Sequence, residues 1–507
     1  MHEDSVRPTG LQHAPSLMSR VVFCFLLSSL GISQAFGACH VVTPSGSGAK
    51  TGADWNNAYA GIPAKLTRGD VYYLADGSYP AYTFTTAGSG TLTLEIRKAQ
   101  SYDNCTSTGW STTTMGSAQA VFAYGGSEPI LGIDVSYVTV NGNGQLSGQG
   151  CGGAPGASFT SEPPTPSDCG IRVDNTGCTS SGADACSHPI EIEGAFNNYA
   201  FEYIELVGNG NNASDTEELF APYGGGGPSL INHLYGRDAG CVYLQYDGSH
   251  RTVSNSYFWG TEVNGASGGC HGQAEFYSPP DSNYSNFNNV YRDITGSDIW
   301  TWANPGTGIS NNLVFYNDVI YNSPSFTKPD GTDNLYLGTV TDGVIGCFNS
   351  GVVCTNITFV QNTMVNLGWG TGLYICDSAA GCSATIENNL WYEMYTPSGA
   401  VGGTAFTAPA GGTFTQTYNS FLSSGSSEPK GTQDVSDASA PNPFVSWTTG
   451  NFHLASENAD WNGELALGAP YTTDASGVTR STDRGAYQFV GAVPPPPTNV
   501  TGTVIAH

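Results

Sequence analysis

The chain has 507 residues, 67 of them Gly, and 15 Lys plus Arg against 42 Asp plus Glu, a net charge of −27. That balance excludes nucleic acid and an anionic membrane surface as partners, and it repels polyuronates unless Ca²⁺ or a local basic patch intervenes. Only 11% of residues are charged, five are Met and no long stretch has a 3.6-residue period, which argues against a helical bundle and for many short strands and turns.

Taken in order, Met18-Ser19-Arg20 is a short basic start, followed by an apolar run from Val21 to Ile32 and small residues suited to cleavage after Gly37. Residues 1–37 therefore read as an export signal, with Met18 as an alternative start because 1–17 are polar. The apolar run falls short of the roughly 18 residues needed to cross a bilayer, so no membrane insertion is expected. An alternative use of Cys39 is lipidation, although Phe36 stands where a lipobox has Leu.

Setting aside Cys24 in the signal leaves twelve cysteines, an even number that suits an oxidising compartment and disulfide pairing. Proximity ranks Cys151/Cys169, Cys178/Cys186, Cys347/Cys354 and Cys376/Cys382 as local clips and Cys241/Cys270 as a tie between neighbouring coils. No spacing resembles a zinc site, and no metal ligand is assigned.

One phrase recurs from residue 255 onward, an Asn followed by a small or polar residue and then apolar or aromatic ones: Asn255, Asn289, Asn317, Asn362, Asn388 and Asn419 each open such a unit. Their gaps run from 26 to 45 residues, too irregular for propeller blades and too rich in β-formers for helical repeats. Stacked coils about 4.8 Å apart fit this pattern, with turn asparagines in left-handed backbone bonding up and down a ladder. Alternation in Tyr203-Ile204-Glu205-Leu206 puts Ile and Leu inward and Tyr and Glu outward, on a flat wall suited to sugars.

The opening Val42-Thr43-Pro44-Ser45-Gly46-Ser47-Gly48, then Trp55-Asn56-Asn57-Ala58 and Arg68-Gly69-Asp70-Val71-Tyr72-Tyr73-Leu74-Ala75-Asp76-Gly77, is similar to the first coil of the pectin lyase-like β-helix group of secreted bacterial proteins. Asp483-Arg484-Gly485-Ala486-Tyr487-Gln488-Phe489 resembles that group's usual ending. The resemblance implies an all-β, right-handed parallel β-helix of roughly ten or more coils over residues 38–490. It is specific for fold and weak for activity, since the same fold hosts lyases, hydrolases, epimerases and adhesins. Residues 491–507, with Pro494-Pro495-Pro496-Pro497, read as a stiff linker and the start of a truncated module.

A lyase needs a base and a cation that neutralises the uronate carboxylate, and a hydrolase needs two carboxylates. No lysine lies between Lys98 and Lys328, so a Lys/Arg lyase pair does not carry over to the middle coils; nor do the polygalacturonase motifs. What remains is a concentration of titratable groups. His233, His250, His271, Arg237, Arg251 and Arg292 all fall within 233–292, with Asp238, Asp247, Glu262, Glu275 and Asp293 among them.

In His271-Gly272-Gln273-Ala274-Glu275-Phe276, alternation places Ala274 and Phe276 inside and Glu275 on the outer wall with His271. The expected acid/base pair is therefore Glu275 and His271, with Arg237 or Arg251 holding an anionic substrate group. Trp300 and Trp302, two residues apart, point the same way as a sugar-stacking platform, joined by His233 and Asp238 as substrate-binding residues. The competing structural readings are that His233, His250 and Arg251 are turn residues bonding backbone carbonyls, and that Arg237-Asp238 and Arg292-Asp293 are surface charge pairs. Asp330-Gly331-Thr332-Asp333-Asn334 has calcium-like ligand density without a full calcium-loop pattern, so Ca²⁺ is the one cofactor in view.

The reading is a secreted, monomeric, carbohydrate-active protein, a polysaccharide lyase or glycoside hydrolase working on the outer wall near residues 230–305. The alternative is a non-catalytic polysaccharide-binding protein or adhesin.

Overall fold

The computed structural model describes residues 37–88, 90–143, 151, 169–178, 188–209, 217–223, 227–261, 272–294, 298–303, 307–324, 343–347, 351–367, 381–394, 412–424 and 431–491. The expected export signal, His271, Glu262, the 330–334 segment and the Pro-rich tail lie outside them.

The architecture follows from short β-forming runs punctuated by left-handed corners. Every pairing between coils is parallel, and the chain winds as a right-handed parallel β-helix, the hand that parallel crossover connections adopt. Three faces recur. The first includes Val138–Asn141, Arg251–Ser254, Tyr284–Phe287 and Ser383–Glu387; the second includes Ala120–Ala123, Ile171–Asp174, Tyr257–Thr261, Val290–Arg292 and Leu390–Tyr392. The third is an eight-stranded sheet from Tyr82–Phe84 through Glu275–Ser278 and Asp298–Trp302 to Gly343–Cys347.

In register on the second face, Leu206, Gly236, Phe258, Tyr291, Ile320 and Met364 stack inward. All but the glycine are buried hydrophobics in one continuous core. Gly236 interrupts the ladder because the Tyr243 ring fills its rung: a Cβ there would lie 2.9 Å from Tyr243 Cδ1.

The corner between the first and second faces is where the repeated asparagines act. Tyr203, His233, Asn255, Asn288, Asn317, Gln361 and Asn388 all take φ between 50° and 59°, the left-handed turn that bends the chain from one face to the next. The residue after each corner points inward from Ser256 onward, and its neighbours bond it along the stack. Asn289 Oδ1 accepts the Ser256 N–H at 2.8 Å, Asn389 Oδ1 accepts the Asn362 N–H at 2.9 Å, and Asn419 Oδ1 accepts the Asn389 N–H at 3.0 Å. The recurring Asn phrase thus marks two adjacent ladders, one that turns the chain and one that seals buried backbone donors.

Parallel coils end at Val435–Asp437, and residues 440–487 fold back as a strap on the outer side of the second face. Phe444, Trp447, Phe452 and Trp461 cover Tyr321, Val365, Tyr392 and Leu422, with Tyr321 and Phe452 meeting edge to face at 4.7 Å. The strap is held by polar ties to the corner ladder: Arg480 Nη2 donates to Asn317 Oδ1 at 2.7 Å, and the Gly485 N–H donates to Asn388 O at 2.7 Å. Gly485, at φ 90°, lies so close to Leu390 and Thr363 that a side chain would collide.

Three disulfides are described. Cys151–Cys169 and Cys347–Cys354 match the proximity ranking, whereas Cys39–Cys105 spans 66 residues and ties the first strand to a later loop. This bond occupies the Cys39 sulfur, the atom that lipidation would use. Cys178, Cys241 and Cys382 are also disulfide-bonded, to partners outside the described residues.

Candidate functional site

The middle coils carry most of the charged side chains expected to act, and the structure sorts them into two places. The first is the solenoid interior. Glu275 is fully buried, and its carboxylate accepts from the hydroxyls of Tyr277, Tyr284 and Tyr291, from Asn286 Nδ2 at 3.0 Å and from Trp300 Nε1 at 3.3 Å. Burial pushes its carboxyl up, and the tyrosine and tryptophan donors oppose that. The expected outward orientation of Glu275 is therefore corrected. Its strand pairs in register with Leu244 and Trp300, both inward, so Glu275 and Tyr277 face the core while Phe276 faces out.

The same correction applies to the tryptophans. Trp300 and Trp302 do point the same way, but into the core, where neither has exposed surface and Trp302 stacks on Tyr277 at 4.6 Å. They form no platform for sugar. Arg251 is also interior: its guanidinium bonds the hydroxyls of Tyr199 and Ser229, the latter at 3.1 Å, and its Nε donates to Gly248 O at 3.2 Å. A side chain so enclosed cannot hold a substrate group on the outer wall. His271 is outside the described residues.

The second place is the outer side of the second face, where Arg237 and Asp238 come together. One outward column runs Asp174, Val207, Arg237, Trp259, Arg292, Tyr321. Beside it lies Arg172, Glu205, Tyr235. Glu205 is outward, as alternation expects, yet it has no exposed surface because its neighbours close over it. Arg237 Nε donates to Glu205 Oε1 at 3.1 Å, and Gln119 Nε2 donates to Oε2 at 2.9 Å. Arg172 pairs with Asp174 at 2.6 Å.

Two Arg-Asp dipeptides repeat the same device. Asp238 and Asp293 sit in left-handed backbone, at φ 57° and 55°, which turns each carboxylate back onto the preceding arginine. Arg237 Nη1 donates to Asp238 Oδ2 at 2.7 Å, and Arg292 Nε to Asp293 Oδ2 at 2.9 Å. Between the two rungs stands Trp259, partly exposed, with the Arg292 guanidinium 5.0 Å from its ring centre and also 5.9 Å from that of Tyr321.

Arg237 is only about a fifth exposed. Burial disfavours its charge, but Glu205 and Asp238 outweigh this and raise its pKa. Its Nη2 has no partner among the described residues. His233 stands at the corner beside this column, stacked on Tyr203 at 4.5 Å and 8°, with its Nδ1 buried and unpartnered and burial holding its pKa down.

The arrangement offers planar cationic donors, carboxylate acceptors and an indole face along the stack, the groups that bond and stack on sugars. Among the described residues no group of three or more His, Cys, Asp or Glu is placed to hold a metal ion, and no helix is long and apolar enough to cross a membrane.

The coil stack resembles that of a pectate lyase. Pectate lyase Pel9A is 13% identical, with a TM-score of 0.48 over 90% of this chain and 97% of that one. A GH136 lacto-N-biosidase from Eubacterium ramulus is 10% identical, with a TM-score of 0.39 over 75% and 67%. A rhamnogalacturonan lyase is 12% identical, with a TM-score of 0.36 over 89% and 96%. No family model and no curated protein matches the chain.

Sequence reasoning missed Trp259 and Arg172, and it treated Glu205 only as part of a wall. The available signal was the β-helix register: once Arg237 and Arg292 are known to share a column, the residue between them must as well.

Proposed function

We propose that this is a secreted, carbohydrate-active protein that binds a neutral glycan on the outer side of the second face, from Arg172 to Arg292. The observation that carries the reading is the outward column Arg237, Trp259, Arg292, in which an indole lies between two guanidiniums, each tied to the aspartate that follows it. A neutral rather than an acidic glycan is favoured by local charge. Arg172, Arg237 and Arg292 face the four carboxylates Asp174, Glu205, Asp238 and Asp293, on a chain of net charge −27. The anionic-group role first expected for Arg237 is weakened for the same reason, since Glu205 and Asp238 already neutralise it.

Hydrolysis by the carboxyl pair Glu205 and Asp238 is disfavoured, because Glu205 has no exposed surface and its two oxygens are bonded to Arg237 and Gln119.

The test is retardation in gels containing xyloglucan, galactomannan, mixed-linkage β-glucan or polygalacturonate, run beside reducing-end and 235 nm absorbance assays. Neutral gels should retard the wild type, and Trp259→Ala should abolish the effect. New reducing ends lost in Asp238→Asn would establish hydrolysis, and absorbance at 235 nm would mean β-elimination instead. Retardation by polygalacturonate alone, or equal retardation of Trp259→Ala, would overturn the proposed site.

A further inference from the structure

The column that carries Arg237, Trp259 and Arg292 does not stop at Arg292. It continues in register through Tyr321, Val365, Tyr392 and Leu422, and its character changes at one rung. Just below the change Arg237, Trp259 and Arg292 are partly exposed; above it the outward groups are apolar and sealed beneath the strap. The boundary is the edge-to-face contact of Tyr321 with Phe452, backed by Phe444 against Phe452 at 5.6 Å.

The strap is built into the stack there. Arg480 is almost wholly buried and donates to Asn317 Oδ1, to the carbonyls of Gly485 and Asp483 at 2.7 and 3.1 Å, and to Glu464 Oε2 at 3.4 Å. A few rungs on, Arg484 Nη1 donates to Asn419 O and to Ser420 Oγ, both at 3.1 Å. The bonds from Arg480 to Asn317 and from Arg484 to Asn419 and Ser420 join the strap to the coils, and the rest brace the strap itself, so opening this end means unpairing buried guanidiniums.

We infer that the strap closes one end of the Arg237–Trp259–Arg292 site, so that it accepts the terminus of a glycan chain and not its middle. This rests on the glycan-binding reading above. The geometric reason is that the two guanidiniums and the indole follow one another along the solenoid axis, one rung apart, a step close to the length of one pyranose. A chain that engages all three lies along that axis, and its next unit beyond Arg292 would meet Tyr321 and Phe452. Phe452, which meets Tyr321 edge to face at this rung, is assigned as the residue that sets end recognition.

The experiment counts protein molecules per glycan chain. Wild-type protein is saturated with narrow size fractions of three soluble, essentially unbranched glycans, mixed-linkage β-glucan, glucomannan and pullulan, one short and one several times longer, and stoichiometry is read by analytical ultracentrifugation. A terminus-directed site gives one protein per chain at both lengths. Stoichiometry rising with chain length would overturn the inference while leaving the binding site standing. No binding to any of the three, with Trp259 fluorescence unchanged, would strike down the glycan reading and the inference with it.

Phe452→Ala supplies the converse, with Phe452→Leu in reserve should the smaller residue unfold the strap. Either variant, if it retains the wild-type melting temperature within a few degrees, should shift binding to the long fraction from one protein per chain toward several. A folded variant that stays at one per chain would show that Phe452 does not close the site.

Discussion

Asp318 stands in the buried ladder as if it were an asparagine: its Oδ1 accepts the Asn289 N–H at 2.8 Å, and its own N–H donates to Asn362 Oδ1 at 2.9 Å. The asparagines of this ladder do one thing more. Asn289, Asn362, Asn389 and Asn419 each donate Nδ2 to a main-chain carbonyl one coil back, on Val253, Phe315, Phe359 and Ile386, at 2.9 to 3.1 Å. In the same register the acceptor opposite Asp318 is Asn286 O, between Val253 and Phe315, and Asp318 Oδ2 is buried without a partner. Burial holds the Asp318 carboxyl well above the usual range, with the charge of Glu275 adding to this. A neutral acid there would carry the proton the ladder needs.

Asp318→Asn should therefore stabilise the protein at pH 8, by about 1.4 kcal/mol for each pH unit over which the folded acid keeps its proton, and change little at pH 4. Because the folded carboxyl lies above its unfolded value, its favourable contribution is present in acid and disappears as pH rises. Thermal melts of the two proteins at both pH values check this; a variant less stable at pH 8 would refute it.

Two further buried carboxyls push in the same direction. Burial raises Glu217 to about 8, against its bonds from Asn175 Nδ2 and the N–H groups of Gly240 and Asn209, and raises Glu464 to about 7 against the opposing pull of Arg480. Between pH 4.5 and 8 the folded chain binds more protons than the unfolded one, so stability should fall across that window with a slope of about 1.4 kcal/mol per pH unit for each proton held. Melting temperatures at pH 5, 6.5 and 8 should descend, and Glu217→Gln should flatten the curve. A rise from pH 5 to pH 8 is the contrary result.

Glu275 is expected to behave as a fold residue. Glu275→Leu leaves three tyrosine hydroxyls, an indole N–H and an amide without their shared acceptor, a loss of about 3 kcal/mol or more. Denaturant titration should register this as a lowered midpoint, whereas Trp259→Ala should leave the midpoint near the wild-type value.

The Cys39–Cys105 bond closes 66 residues at the start of the stack. Replacing both by Ser should lower stability by about 4 kcal/mol on a loop-entropy account, with fraying confined to the first coils in hydrogen exchange. Protection lost uniformly along the chain would show that the bond does not act locally.

Composition, recurring asparagines and strand-length apolar runs were enough for the fold, because each coil repeats the same corner chemistry and parallel stacking turns that repetition into a ladder. The local disulfides Cys151–Cys169 and Cys347–Cys354 were legible for a related reason: short loops bring their ends together whatever surrounds them. The faces were less legible. Alternation was read correctly in Ile204 and Leu206, where apolar residues occupy every second place, and inverted at Glu275, where Ala274 and Phe276 offered the same period one residue out of phase.

What the residues by themselves determined was a β-helix with turn ladders and a crowded charged middle. Only the tertiary structure decided that Glu275, Arg251, Trp300 and Trp302 belong to the interior while Arg237, Asp238, Trp259 and Arg292 share an outward column. The reason is physical: a period of two states that neighbours face opposite ways, but which way is set by the coils above and below. Leu244 and Trp300 draw Glu275 inward, and the left-handed corners at Asp238 and Asp293 fold their carboxylates back onto arginines that sequence order alone would leave in open solvent.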